Sequence, residues 1–133
     1  MAQVVDGDTL WVQQPQQRVN VRLLGIDTPE TKAPDRSVEC FGPEASAAAD
    51  AALTGSQVWL ELDPSQDTYD QYGRLLAYVW RDQDLVNLDL VVEGFAAEYT
   101  FGGRPYRYQQ EFRAAQSQAR SSGVGQWSAC AGG

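Results

Sequence analysis

Histidine is absent from the 133 residues of this chain. Imidazole is the side chain that most often acts as a general base at neutral pH, completes serine and cysteine triads, and binds metals. Its absence excludes those triads, imidazole-bound zinc and every nuclease chemistry in which histidine is the base or the nucleophile. If the chain is an enzyme, a carboxylate is its base.

Cysteine is nearly as scarce, because only Cys40 and Cys130 are present. Two thiols without histidine cannot complete a four-ligand zinc site, so a disulfide or two free thiols remain. We favour the disulfide, since Cys40 stands just before a predicted helix and Cys130 lies in the tail after Trp127, where a bridge would hold the terminus. A bridge implies an oxidising compartment, and we therefore expect a secreted or periplasmic protein.

Long apolar runs are also missing. No stretch approaches the roughly 20 residues that a membrane-spanning helix needs, and no signal peptide precedes the first predicted strand. We expect a soluble protein with no membrane partner, whose targeting segment, if it has one, lies outside this sequence.

Positive charge is in short supply. Ten basic residues face 18 acidic ones, for a net charge of −8. Proteins that bind phosphates usually show a basic footprint, so this balance is unusual for a nucleic-acid enzyme. The excess acid is concentrated in residues 37–70, which hold seven acids and no base, whereas residues 1–36 are nearly balanced. The acidity therefore lies mostly away from the motifs described below.

The length suits a single domain over residues 1–133 with a substantial core. Hydrophobic patterning predicts strands around 4–12, 18–26, 58–62 and 75–80, followed by a short one in 96–101. Helices are expected at 44–54, from a cap at Asn87 to Gly94, and from Tyr108 to Gly123. Short strands with interleaved helices favour an α+β fold, a five-stranded oligonucleotide-binding-type (OB-fold) barrel with three α-helices.

Two acidic turns and two arginines form the candidate site. The turns at 6–9 and 27–30 flank a strand in which Arg22 faces away from the core residues Val21 and Leu23, toward the loop that starts at Asp27. Three acids that share a hard, oxygen-seeking cation, with Arg22 and Arg74 converging on them, suit phosphodiester hydrolysis. Each motif alone is more often an ordinary turn or helix cap.

Five collinear motifs give the chain a family resemblance. It resembles the staphylococcal nuclease (thermonuclease) family in VVDGDT (4–9), RLLGIDTPET (22–31), GPEA (42–45), YGRLLAY (72–78) and WS (127–128). The resemblance covers nearly the whole chain. It implies an OB-fold barrel with three helices and a calcium-dependent nuclease that cleaves DNA and RNA, leaving 3′-phosphate ends.

The resemblance also implies residue roles. Asp8, Asp27 and the backbone carbonyl of Thr28 would bind Ca²⁺. Glu30 would act as general base or position the attacking water. Arg22 and Arg74 would grip phosphate oxygens with their planar guanidinium groups.

Substrate contacts are implied for two tyrosines. Tyr72 would bind a phosphate or line the nucleotide pocket, and Tyr99 belongs to an aromatic pair in that pocket. This chain departs from the family pattern at Gln71, where the archetype has a base, and at Tyr99-Thr100-Phe101, which stand one residue closer to the preceding helix. Both departures concern the grip on the substrate.

Two readings of other classes remain open. Nuclease-like barrels also serve as noncatalytic modules that bind nucleic acid or protein, and the net charge favours a scaffold or secreted protein with only residual activity. All five residues of the proposed machinery are present, which favours the enzyme: Asp8, Arg22, Asp27, Glu30 and Arg74. We expect this enzyme to be a monomer.

Overall fold

The computed structural model describes residues 2–29 and 40–130, and these form a mixed α+β fold, as predicted. The strands are β1 (Ala2–Asp6), β2 (Thr9–Gln13), β3 (Arg18–Leu23), β4 (Ile26–Asp27), β5 (Trp59–Glu61), β6 (Leu75–Arg81), β7 (Asp84–Leu85) and β8 (Ala97–Glu98). The helices are α1 (Gly42–Leu53), α2 (Val86–Val92), α3 (Gln109–Ser122) and α4 (Gln126–Ala129), with a 3-10 turn at Phe101–Gly103.

The main sheet has the strand order β1-β2-β3-β6-β5, and β7 pairs with β6. The first three strands are antiparallel neighbours, and β3 then pairs with β6 in parallel. This order is consistent with the predicted five-stranded barrel. Among the strand pairings of the described residues none joins β5 to β1, so closure of the barrel is not confirmed.

The core lies on the inner face of this sheet, beneath α2 and α3. Val21 and Leu23 are buried, as the alternation of β3 predicts, and Tyr78 and Phe112 are fully buried between sheet and helix. The spacing of Tyr108, Phe112, Ala115 and Ala119 predicts one buried stripe on the last helix, and this is confirmed, because Phe112 and Ala119 are buried and Tyr108 and Ala115 pack against the core.

A turn divides the strand that was predicted at 18–26. Gly25 has a φ of 79°, a conformation that favours glycine, and a Cβ atom there would lie 2.7 Å from the Phe112 ring. The chain therefore leaves the main sheet after Leu23, and β4 pairs with β8 in a separate two-stranded sheet. This turn directs Asp27 away from the core.

The helices differ from expectation in three ways. The first helix begins at Gly42 rather than at residue 44. The prediction that Asn87 caps the second helix is wrong, because α2 begins at Val86 and Asn87 is fully buried inside it. There are four helices in the described chain rather than three, since Gln126–Ala129 forms a short α4.

The disulfide between Cys40 and Cys130 is present, with a Cα–Cα distance of 6.0 Å. It joins the residue two positions before α1 to the residue that follows α4. Of the two alternatives that the sequence left open, the bridge is the one that this structure contains.

Candidate active site

The two acidic turns lie against each other. Gly7 makes this contact possible, because a Cβ atom at that position would lie 2.6 Å from the Thr28 Oγ1 atom. The Asp8 carboxylate, which is largely buried, accepts hydrogen bonds from the Thr28 backbone N–H (3.2 Å) and from the Thr9 hydroxyl (3.2 Å). The Asp8 carboxylate thus joins the two turns by a hydrogen bond between residues that are 20 positions apart in the sequence.

Arg22 joins Asp8 to Asp27. Its Nη2 atom lies 3.5 Å from an oxygen of each carboxylate. Its Nη1 atom donates to the backbone carbonyls of Leu23 (2.7 Å) and Ile26 (2.8 Å), which fixes the guanidinium over the β3–β4 turn. The Asp8 side chain is 12% exposed and that of Asp27 is 62% exposed, so one acid is interior and the other faces solvent.

The Asp8 carboxylate is held ionised. Burial on its own would raise the pKa of Asp8, but the Arg22 guanidinium and the hydrogen bonds from Thr28 outweigh it, and the pKa is lowered. A buried, ionised carboxylate next to an exposed one is a pair of hard oxygen donors.

Arg74 is connected to the same cluster through Thr9. Its Nη1 atom donates to the Thr9 hydroxyl (3.1 Å), which in turn donates to Asp8. Its Nε atom and its backbone N–H bind the carboxylate of Asp70 at 2.6 and 2.9 Å. The guanidinium carbon lies 5.4 Å from the centre of the Tyr72 ring, within reach of a cation–π contact.

Arg22, Asp27 and Arg74 line one cleft of about 560 Å³. Tyr72 and Tyr99, the two predicted substrate contacts, line it as well, and Tyr72 is 74% exposed. Solvent-exposed aromatic rings beside two guanidinium groups suit a ligand that has both an anionic group and a flat ring.

Four residues of this region were not predicted from the sequence. Thr9 and Asp70 hold Arg74, and Tyr69 and Arg104 extend the cleft wall. Asp70 offered a signal, because it lies four residues before Arg74 in a turn, and so did Tyr69, an aromatic residue in a polar stretch. Arg104 offered none, since it comes near the cleft only through the fold.

The expected base, Glu30, lies outside the described residues, so its role stays a prediction. Within residues 2–29 and 40–130, no three carboxylate or thiol side chains are close enough to hold a metal ion together. Asp8, Asp27 and Thr28 offer only oxygen donors, which fit a hard cation such as Ca²⁺ and not a thiophilic metal. The residues present therefore fit a calcium ion that takes its other ligands from water, substrate or further residues.

No helix in the described part of the chain has the length and apolar character needed to cross a bilayer.

Comparison with known proteins agrees with this geometry. The family model described as "Staphylococcal nuclease homologue" matches residues 20–129. The chain is 40% identical over 126 residues to the thermonuclease of Staphylococcus hyicus, a match that covers 94% of this chain and 72% of the relative. It is 43% identical over 93 residues to the thermonuclease of Staphylococcus intermedius, covering 70% and 54% of the two chains.

A protein from Bacillus subtilis is also similar. The chain is 36% identical over 124 residues to endonuclease YncB of Bacillus subtilis (strain 168), covering 93% of this chain and 58% of that protein. The chain thus spans little more than half the length of two of these three relatives. The matched family model covers most of the sequence and includes Arg22, Asp27 and Arg74, and the chain belongs to the staphylococcal nuclease homologue family.

Proposed function

We propose that this chain is a calcium-dependent nuclease that hydrolyses DNA and RNA to products with 3′-phosphate ends. The observation that carries the proposal is the position of Arg22, whose guanidinium bridges Asp8 and Asp27 at 3.5 Å each at the edge of the cleft. The names of the similar proteins, two thermonucleases and an endonuclease, support the same class of activity.

Asp8, Asp27 and Thr28 would hold the calcium ion. A bound calcium ion would supply positive charge that neutralises a phosphate and favours a nucleophilic water. With two carboxylates among the described donors, the protein fills only part of the six to eight ligand positions that Ca²⁺ typically takes. We therefore expect calcium to be removable by a chelator.

Arg22 and Arg74 would bind the scissile phosphate. Each guanidinium can donate two parallel hydrogen bonds to phosphate oxygens, which favours the charge that develops as the P–O bond breaks. Both are pre-oriented by carboxylates and carbonyls of the protein, so little reorganisation is needed when substrate arrives. Glu30 would accept a proton from the attacking water or position that water.

Residues 1–133 would form one such domain that acts as a monomer. The disulfide between Cys40 and Cys130 supports a secreted or periplasmic location.

The direct test is cleavage of single-stranded DNA and of RNA with calcium, with and without a chelator. We expect cleavage that stops on chelation and resumes when calcium is restored. Products should be extended by terminal transferase only after phosphatase treatment, because a 3′-phosphate blocks extension. Binding without cleavage under any of these conditions would instead support the noncatalytic module.

Glu30→Gln separates chemistry from metal binding. We expect cleavage to slow by at least about a hundredfold, the scale for loss of a positioned base, while calcium affinity measured by calorimetry changes little. Asp27→Ala should instead weaken calcium binding, and its activity should be partly recoverable at high calcium concentration. Near-parental cleavage by Glu30→Gln would show that the assigned role is wrong.

A further inference from the structure

A second carboxylate cluster lies behind the cleft. Glu98 is 10% exposed at its side chain, and its carboxylate accepts hydrogen bonds from the Thr100 hydroxyl (2.6 Å), the Tyr106 hydroxyl (2.8 Å) and Arg113 Nε (3.4 Å). We call these four residues the Glu98 cluster. The cluster uses no residue of the proposed catalytic machinery, yet its Tyr106 lines the cleft.

The Glu98 cluster holds the short segment between β8 and the 3-10 turn at Phe101–Gly103. Tyr99 lies between Glu98 and Thr100, and Phe101 follows; the two rings, 6.5 Å apart, are both exposed and line the cleft. We call Tyr99 and Phe101 the aromatic wall. Gly102 and Gly103, with φ of 60° and 71°, come next, so the backbone beyond the wall is permissive. Side-chain hydrogen bonds therefore add to the order that the neighbouring backbone gives this segment.

The cluster also ties the wall to helix α3. Gln109 Nε2 donates to the Thr100 hydroxyl (2.9 Å), and Gln116 Oε1 accepts from the Glu98 backbone N–H (2.7 Å). Burial and the hydrogen bond to Glu98 raise the pKa of Tyr106, so its hydroxyl stays a donor throughout the neutral range. Three side chains of α3, those of Gln109, Arg113 and Gln116, thus contact the Thr100 hydroxyl, the Glu98 carboxylate and the Glu98 backbone N–H.

Strand β8, which carries Glu98, pairs with β4 beside Arg22, where the phosphate would bind. In the β4–β8 sheet Glu98 lies opposite Ile26, whose carbonyl binds Arg22, and Ala97 lies opposite Asp27. The Tyr99 backbone N–H donates to the Gly25 carbonyl at 2.8 Å. The distance between the wall and the guanidinium of Arg22 is therefore set by a short, hydrogen-bonded path.

We propose that Glu98 is a positioning residue for base recognition, which orients the aromatic wall so that a nucleobase stacks on it while the adjoining phosphate lies at Arg22 and Arg74. This inference rests on the proposed function, since it assumes that the ligand of the cleft is a nucleotide. Stacking on an aromatic side chain contributes substantially to binding for any base, so the wall would hold bases of every kind. Removing the Glu98 carboxylate would leave the phosphate contacts in place and disorder the base contact.

Binding of small ligands tests the inference without requiring catalysis. With calcium present, we expect Glu98→Ala to raise the Kd of a nucleoside monophosphate about tenfold, within the range for loss of one stacked base. The Kd of ribose 5-phosphate, which has the phosphate but no base, should stay within about twofold. Equal weakening of both ligands, or of neither, would overturn the proposal.

The matched control is Tyr78→Phe. It removes a buried tyrosine–carboxylate hydrogen bond of similar length, from Tyr78 to Asp63 at 2.6 Å, and Tyr78 does not line the cleft. We expect this variant to lose stability but to keep the affinity ratio between the two ligands. If Glu98→Ala does not fold, Thr100→Val replaces it as a milder substitution. We then expect the Kd of the nucleoside monophosphate to rise a few-fold and that of ribose 5-phosphate to stay unchanged.

Cleavage assays separate this inference from the proposed function. In Glu98→Ala, kcat/KM should fall for an ordinary strand more than for one with an abasic residue beside the scissile phosphate. If the parent binds nucleotide through Glu98 but cleaves nothing, the proposed function fails and the inference stands. If the parent cleaves and Glu98→Ala keeps the parental ratio of kcat/KM between the ordinary and the abasic strand, the inference fails and the proposed function stands.

Discussion

At the scale of single residues, Arg22 has the most demanding position. Its guanidinium makes two hydrogen bonds to carbonyls and two ion pairs at once, which only a planar group with several fixed donors can do. Period-two alternation in β3 correctly placed this side chain opposite the core. The carbonyl contacts were not predictable, because they depend on the turn at Gly25.

Arg22→Lys should slow cleavage by about a hundredfold or more, the scale for losing one donor to a developing negative charge. A lysine ammonium cannot make two parallel hydrogen bonds to a phosphate. Steady-state kinetics on single-stranded DNA measures the effect.

Arg18→Lys is the matched control on the same strand. Its guanidinium stacks 4.5 Å from the Trp11 ring and does not line the cleft. We expect turnover within about twofold of the parent, because no phosphate contact is lost. Similar losses in both variants would indicate a general effect of removing arginine and would contradict the role of Arg22.

At the scale of elements, Asn87 shows how α2 is attached to the sheet. Its Oδ1 atom accepts from the Val79 N–H (2.8 Å), and its Nδ2 atom donates to the carbonyls of Leu24 (2.9 Å) and Ala77 (3.3 Å). The residue type fitted a helix cap, which is why the sequence favoured that role. Its actual partners lie outside the helix, on β6 and at Leu24, which precedes Gly25 and is 63 residues away in the sequence.

Asn87→Ala should destabilise the protein by about 3 kcal/mol or more, because buried groups on Val79 and Leu24 lose their partner, at roughly 1–3 kcal/mol each. Chemical denaturation measures the change. Asn20→Ala is the control, since the buried Oδ1 atom of Asn20 has no hydrogen-bond partner among the described residues. A loss below about 1 kcal/mol for Asn87→Ala would contradict the bridging role.

At the scale of the whole molecule, Asp63 connects three parts of the chain. Its carboxylate accepts from Ser65, from the Tyr78 hydroxyl in β6 and from the Arg107 N–H before α3. Burial favours a raised pKa, but these hydrogen bonds outweigh it and lower the pKa of Asp63 to about 2. The unfolded chain binds this proton more tightly than the folded one.

Asp63 should therefore contribute to acid stability. The stabilisation is complete above the ordinary pKa of 3.8 and is lost as the pH falls toward about 2, and it amounts to about 2 kcal/mol. Denaturation of Asp63→Asn and the parent from pH 6 to 2 tests this. The stability gap should narrow below pH 4, whereas a gap that is independent of pH would rule out this contribution.

Net charge also acts on the whole molecule. Of the cleft arginines, Arg22 and Arg74 pair with acids of the site and Arg104 pairs with Asp67. Few positive charges are therefore available to bind the phosphates of a nucleic acid. We expect the affinity for single-stranded DNA to fall shallowly with salt, with a log–log slope no steeper than about −2, and Gln71→Lys should steepen it by about 0.7. A slope near −4, as for six phosphates, would contradict the expectation.

The sequence by itself determined the fold class and the family, and it named candidate residues, among them Arg22, Asp27 and Arg74, that the structure brings to one cleft. Motifs such as 4–9 and 22–31 carry this information because a strand's alternation fixes the face of each side chain, and because a turn needs particular residues at particular positions. The α3 stripe and its end at Gly123 followed from the same local rules.

Only the tertiary structure decided which distant groups meet. The link from Arg74 through Thr9 to Asp8, the burial of Asn87 and the Glu98 cluster all join residues that are far apart in the chain or whose type allows several roles. A polar side chain takes whichever partner the packing leaves within about 3 Å, and that choice depends on the whole fold rather than on local sequence.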